Sequence, residues 1–372
     1  MSDTQKNKKP NVPNLRFPGF EGEWKSRKIG EDCSVLMCKR IFANQTSEHG
    51  DVPFYKIGTI GEEPDAYISR EIFEDYKAKY NYPRKGEVMV TCAGTVGKTI
   101  VFNGDDSYYQ DSNIVWLSNP KQLYLNSFLN YYLSRVNWNK LNSTTITRIY
   151  NDNLRELIIK YPSIEEQEKI VSLLSLLDQR IAAQNKVIER YESLIKALAH
   201  EIIGKKKKNS FLADTVNCSA SLLKESDLNN NNRMFPTYGA AGLSGYTDKC
   251  LSERDSILIT KDGSGVGSLR YVSGKHSFVG TLNSLTPKEG IYLPYIYYAL
   301  FCVNFDTYKT GQAIPHIYFR DYAKESIYCP AYEEQERLAK VLELIDSKIK
   351  YLREELQGLL SLKAYLLANL LI

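Results

Sequence analysis

The chain has 372 residues, 43% hydrophobic and 25% charged. That balance excludes a disordered polymer, and the length exceeds one ordinary core, so two domains plus connecting elements are expected. Forty-eight Lys and Arg against forty-four Asp and Glu leave only +4, so net charge does not mark a polyanion partner and any nucleic-acid surface must be local.

In chain order, residues 1–13 are polar and lysine-containing and are expected as a disordered tail, with no apolar core of a signal peptide or membrane anchor. A first domain is expected over 14–160. In it, Glu74-Asp75-Tyr76-Lys77 falls in an amphipathic helical stretch. Gly86 to Lys98 reads as an apolar strand closed by a glycine-rich turn, Gly94-Thr-Val-Gly97, with a second strand from Thr99 to Phe102. Asn113 follows, then Asn130-Tyr-Tyr-Leu133 on a helix and Thr147-Arg148-Ile149-Tyr150 just before a long helical segment, 161–204. That segment begins Pro162-Ser-Ile-Glu165-Glu166-Gln167-Glu168, an acidic first turn suited to the positive end of a helix dipole, and stops at Gly204. A basic linker over 205–210 carries Lys205 to Lys208, read either as solvated cations at a helix C-terminus or as phosphate contacts. A second domain is expected over 211–328 and a second helix over 329–372. The seven scattered cysteines form no Cys-x-x-Cys pair and read as free thiols of a reducing, cytoplasmic compartment. No run of eighteen apolar residues suggests a membrane span.

The second half repeats the first. Pro330-Ala-Tyr-Glu333-Glu334-Gln335-Glu336 restates the Pro162 motif 168 residues later, and the offset then holds without a gap. Ile170, Leu174, Leu177, Ile181, Gln184, Ile188, Tyr191, Ile195, Leu198 and Ile202 step by fours and threes, a heptad seam. Their counterparts are Leu338, Leu342, Ile345, Ile349, Leu352, Leu356, Leu359, Lys363, Leu366 and Leu370. The polar Gln184 and Lys363 either fix register or sit at the seam's edge. Ahead of the helix, Ser256-Ile-Leu-Ile-Thr260-Lys261-Asp-Gly263-Ser-Gly265-Val-Gly267 restates the strand and turn, with Leu269 to Val272 as the next strand. Asn283, Tyr297-Tyr-Ala-Leu300 and Pro315-His316-Ile317-Tyr318 complete the parallel. The expected fold is α+β: two similar mixed α/β recognition domains, separated and connected by two long antiparallel coiled-coil helices in a pseudo-twofold arrangement. Two similar heads at a fixed spacing suit a ligand with two half-sites.

This arrangement resembles the specificity subunit of type I restriction-modification systems over nearly the whole chain. The resemblance is carried by Glu21-Gly-Glu-Trp24, the turns Gly94 to Lys98 and Gly263 to Gly267, Phe235-Pro-Thr-Tyr238-Gly239, and the two Pro-x-x-Glu-Glu-Gln-Glu helix starts. It implies a non-catalytic chain in which each domain reads one half of a split, asymmetric double-stranded DNA site. The helices set the gap and dock methyltransferase subunits, two of them, with restriction subunits around these. S-adenosylmethionine would lie on the methyltransferase and ATP with Mg on the restriction subunit, with no cofactor or metal on this chain. Domain 2 departs from the pattern, opening with Phe211-Leu-Ala-Asp214 without a tryptophan and carrying a polar loop from Leu228 to Asn232.

Other motifs are imitations. Gly94 to Thr99 resembles the end of a phosphate loop, but Cys92 stands where its first glycine belongs and a strand follows where a helix is needed. Pro64-Asp65 with Asp75-x-Lys77 echoes metal-dependent nucleases, and domain 2 has no such carboxylate beside Pro236. The candidates for DNA contact lie near the turns and ahead of each helix: Lys39, Arg40, Lys56, Lys98 and Arg148 in domain 1, with Lys261, Arg270, Lys309, His316 and Arg320 in domain 2. The rival readings are a coiled-coil adaptor that binds proteins only, and an enzyme in its own right.

Overall fold

The computed structural model describes residues 11–138, 148–231, 234–311 and 314–372; the first ten residues of the expected tail, Thr147 and Asn232 lie outside the described residues. The chain divides into two compact units, residues 1–182 with 357–372 and residues 183–356.

Unit 1 contains β1 (Lys25–Lys28), β2 (Ser34–Met37), β3 (Val52–Tyr55), β4 (Tyr67–Ile68), α1 (Arg70–Lys79), β5 (Val88–Thr91), β6 (Thr99–Val101), β7 (Tyr108–Tyr109), β8 (Ile114–Ser118), α2 (Asn126–Ser134), α3 (Asn151–Glu156) and β9 (Ile158–Tyr161). It also takes the first half of α4 (Ile164–Ala199). A four-stranded antiparallel sheet runs β2-β8-β5-β6. Its centre is buried on both faces, and side chains of alternate parity enter different cores. Val88, Val90, Val115 and Leu117 face Phe128, Leu129 and Leu133 of α2. Met89, Ile114 and Trp116 face a second core with Phe54, Phe73 and Tyr108. The second core is floored by the sheet β4-β3-β7, in which β3 is parallel to β7. The expected amphipathic stretch is α1, whose Ser69 cap accepts from the Ile72 N–H.

Unit 2 contains β10 (Ser210–Phe211), α5 (Leu212–Thr215), β11 (Val216–Ala220), β12 (Phe235–Gly239), β13 (Gly242–Thr247), β14 (Ser256–Thr260), β15 (Leu269–Val272), β16 (Ser277–Phe278), β17 (Leu282–Pro287), α6 (Leu293–Ala299), α7 (Phe319–Tyr322), β18 (Ser326–Ile327) and α8 (Tyr332–Leu370), whose last part belongs to unit 1. Its sheet β11-β17-β14-β15 copies β2-β8-β5-β6, and β13-β12-β16, with β12 parallel to β16, copies β4-β3-β7. Each unit is closed by its first strand pairing with its last, β1 with β9 and β10 with β18. The loose sequence repeat is therefore a repeat of topology. Among the described residues unit 2 has no counterpart of α1 between its β13 and β14.

The seam residues pack as expected inside each unit. Leu174 and Leu177 are buried with Leu366 and Leu370 in unit 1, with Ile181 and Leu359 against them. Ile188 and Ile195 are buried with Leu342, Ile349 and Leu352 in unit 2, with Ile345 and Leu356 partly covered. The helix segments run antiparallel in each. In unit 1 Lys363 meets Asp178, while neighbouring Leu15 and Arg16 bond Asn369 near the end of α8 and Glu166 near the start of α4. In unit 2 Gln184 bonds Leu352 and Glu355, while Lys206 lies near Glu334. Gln184 is 5% exposed and donates to the Leu352 carbonyl at 3.0 Å, so it is a bond inside the seam and not a residue at its edge. The α-helix ends at Ala199, and a π-helical turn over His200–Gly204 carries the chain to the expected stop.

The buried glutamine of each repeated motif is a clamp. Gln167 accepts the Leu125 N–H at 2.8 Å and donates to the carbonyls of Leu123 and Pro162, tying the start of α4 to the start of α2. Gln335 accepts the Tyr292 N–H at 2.9 Å and donates to Pro330, tying α8 to α6. Two differences from expectation lie at linkers. Asn11 accepts from the Trp24 N–H, so part of the tail is fastened, and Ser210 of the expected linker is already in β10. Among the described residues no helix is long and apolar enough to cross a membrane.

Candidate nucleic-acid interface

Both glycine-rich turns are hairpins of one design. The Gly97 N–H donates to Thr91 and the Thr91 N–H to Lys98; the Gly267 N–H donates to Thr260 and the Thr260 N–H to Ser268. Gly97 and Gly267 have φ of +82° and +88°, conformations that glycine adopts without strain. A Cβ on Gly97 would lie 2.1 Å from the Trp138 ring, and one on Gly267 would lie 2.8 Å from Phe305, so an aromatic residue seats each turn. Thr99 opens a strand, β6, as expected, not the helix of a phosphate loop. The segment ahead of each long helix is tied to the same strand end: the Ile149 N–H donates to Cys92 at 2.8 Å, and the Ile317 N–H to Lys261 at 2.9 Å.

Around the unit 1 hairpin the structure gathers four of the five candidate cations. Arg40 pairs with Asp111, Lys56 with Asp65 at 3.0 Å, and Lys98 with Glu62 at 3.1 Å. Arg148 donates to Ser112 at 3.3 Å and stands 5.9 Å from the centre of the Tyr150 ring. Arg40, Lys56 and Asn113 line one cleft of about 290 Å³ with Phe42 and Gln110. Lys39 leans instead over Tyr80 beyond α1, 5.3 Å from the ring centre.

In unit 2, Lys261 pairs with Asp262, Lys309 with Asp306, and Arg320 with Asp321. Thr310 and His316 exchange backbone hydrogen bonds, which brings Lys309 to the same strand end. Tyr318 lies between His316 and Arg320, with its ring centre 4.9 Å from that of His316 and 4.8 Å from the Arg320 guanidinium carbon. Arg270 lies beside Gly242 at the β12–β13 turn and lines a small pocket with Thr260 and Ser268.

Six of the ten candidates are thus held in ion pairs. Such exposed pairs contribute about 0–1 kcal/mol each, so a phosphate can displace the carboxylate at little expense. The choice of cations missed Tyr150 and Tyr318, which are 62% and 45% exposed. Their equivalence was visible in the aligned segments before each helix, but their exposure depends on packing. The nuclease-like pattern does not converge: Asp65 pairs with Lys56, Asp75 with Lys79, and Lys77 with Asp106. In the basic linker Lys205 pairs with Glu201 and Lys208 with Glu325. All seven cysteines are free, and burial pushes the Cys33 and Cys38 thiols up to about 12 and Cys92 and Cys218 to about 11, which leaves them unreactive.

The sequence profile of a family described as type I restriction modification DNA specificity domain matches twice, over residues 21–192 and 204–360. A type I restriction enzyme specificity subunit of Haemophilus influenzae is 50% identical over 147 residues, 40% of this chain and 38% of that protein. A type I specificity subunit of Mycoplasma genitalium is 26% identical over 252 residues, 61% of this chain and 65% of that one. The matches thus span less than two thirds of these two relatives. In fold, the crystal structure of a type I restriction-modification S subunit from M. genitalium superposes with a TM-score of 0.57 at 20% identity, covering 97% of this chain and 99% of that chain. A structure from work on assembly and conformational transition of the type I R-M system gives 0.50 at 17% identity, covering 96% and 99%.

Proposed function

Because the chain belongs to the type I restriction-modification DNA specificity family, we propose that it is the DNA-reading subunit of such a complex, with each unit reading one half of a split, asymmetric duplex site. The observation that carries this reading is the duplicated loop end: in each unit a glycine hairpin, a cluster of exchangeable cations and an exposed tyrosine with a cationic side chain at its ring converge on one strand end. Arg and Lys bind phosphate and the edges of guanine, and tyrosine adds an apolar face with a hydroxyl. Arg40, Lys56, Lys98, Arg148 and Tyr150 form the contact set of unit 1; Lys261, Lys309, His316, Tyr318 and Arg320 form that of unit 2.

The chain supplies recognition and no bond-making step. Two methyltransferase subunits carry S-adenosylmethionine and dock along the helices, and restriction subunits carry ATP and Mg, all in the cytoplasm. The test is the genome-wide adenine methylation of cells with and without this gene, partners present. Loss of one bipartite motif on deletion is the expected result; an unchanged pattern with active partners would replace the DNA reader by a protein-only adaptor.

A further inference from the structure

Asp178 of unit 1 and Asp346 of unit 2 are equivalent under the repeat, yet only the first is hydrogen-bonded and ion-paired within the chain. Asp178 accepts from the Tyr131 hydroxyl at 2.7 Å and pairs with Lys363 at 2.5 Å. The Lys363 ammonium also lies 5.9 Å from the centre of the Tyr131 ring. In unit 2 the position equivalent to Lys363 is Ile195, which is 3% exposed. Among the described residues Asp346 makes no hydrogen bond or ion pair; burial raises its carboxyl, and the charge of Arg353 nearby opposes that.

Asp346 lines a cleft of about 550 Å³ between the two helix segments of unit 2 and its hairpin, with Ile195, Tyr297, Phe301 and Phe305 as apolar wall. Phe305 stands where unit 1 has the larger Trp138 against the hairpin glycine. Arg353 lines the same cleft but is engaged by Glu192. Lys196 and Asp306 complete the charged rim, and Asp306 is engaged by Lys309.

We propose that this cleft receives a lysine side chain from a partner protein, its alkyl stem along the apolar wall and its ammonium on Asp346, as the Lys363 ammonium sits on Asp178 in unit 1. Both helices contribute to the cleft, Glu192, Ile195 and Lys196 from α4 and Asp346, Ile349 and Arg353 from α8. A protein lying along the helices therefore meets it directly. This rests on the proposed function, in which the methyltransferase subunit is that partner.

The test is calorimetric titration of the methyltransferase subunit encoded with this chain into the full-length wild type, Asp346→Asn and Ile195→Lys. Asp346→Asn is expected to weaken binding about tenfold, the loss of one charge-assisted hydrogen bond. Ile195→Lys, which supplies the ammonium from within, is expected to weaken it similarly, with no further loss on adding Asp346→Asn. Wild-type affinity in Asp346→Asn would overturn the proposal, even if Ile195→Lys fails to fold. So would a variant that loses only spermidine binding, which would make the site one for free polyamines. A wild type that binds no methyltransferase subunit would instead remove the functional reading itself.

Discussion

The two units share a topology but are fastened differently. In unit 1 the chain before the first strand is strapped to its helix. Arg16 makes two bonds of 2.8 Å to Glu166, which is 2% exposed, and Trp24 reaches the same carboxylate. In unit 2 the equivalent Glu334 is engaged by Arg337 one turn along its own helix, on the surface. The departure of Phe211 from the tryptophan pattern is thus matched by loss of the strap. What both units keep is the buried glutamine clamp, so the repeated motif specifies how a helix is attached to its domain before it specifies anything about DNA.

Breaking the shared part should have the largest effect. Gln167→Ala and Gln335→Ala each strand a partly buried N–H and the carbonyls that accept from the amide, and each is expected to lose about 3 kcal/mol of stability. All three tryptophans, Trp24, Trp116 and Trp138, lie in unit 1. Denaturation followed by tryptophan fluorescence therefore reports unit 1, and helical circular dichroism the whole chain. The Gln335 variant should show its loss in the second signal; equal shifts in both signals for both variants would mean the units do not unfold separately.

Arg16→Ala should cost about 3 kcal/mol, because it leaves Glu166 buried and without its charged partner, whereas Arg337→Ala, which removes only a surface pair, should leave the melt nearly unchanged. Similar losses would erase the distinction between strap and surface pair. Asp178→Asn, which breaks the pair with Lys363, is expected to lose about 1 kcal/mol. Asp346→Asn should lose nothing at neutral pH. Burial, with Glu343 adding and Arg353 opposing, raises the folded carboxyl of Asp346. Its protonated form therefore favours folding, and that contribution is lost as pH rises through the folded value. The asparagine variant should match the wild type in acid and exceed it at neutral pH in thermal melts. A variant less stable than wild type at neutral pH would indicate an internal partner for Asp346.

Much of this was legible in the sequence because it is periodic or duplicated. The heptad seam, the hairpins and the helix starts announce themselves by spacing, and comparison of the copies exposed Ile195 opposite Lys363. What stayed hidden depends on which groups meet in three dimensions. Gln167 and Gln335 read as part of an acidic first turn, and only folding turns them into buried clamps on Leu125 and Tyr292. Lys39 and Arg40 are neighbours in sequence, yet the Lys39 side chain leans to Tyr80, and the exposure of Tyr150 and Tyr318 is not written in their residue type.

The most direct test of two independent readers is a change confined to one of them. In cells with active partners, Arg148→Ala combined with Tyr150→Ala should relax one half of the methylated motif, leaving its other half and the spacing intact when methylation is mapped genome-wide. Equal loss of specificity in both halves, or an unaltered motif, would contradict the assignment of one half-site to each unit.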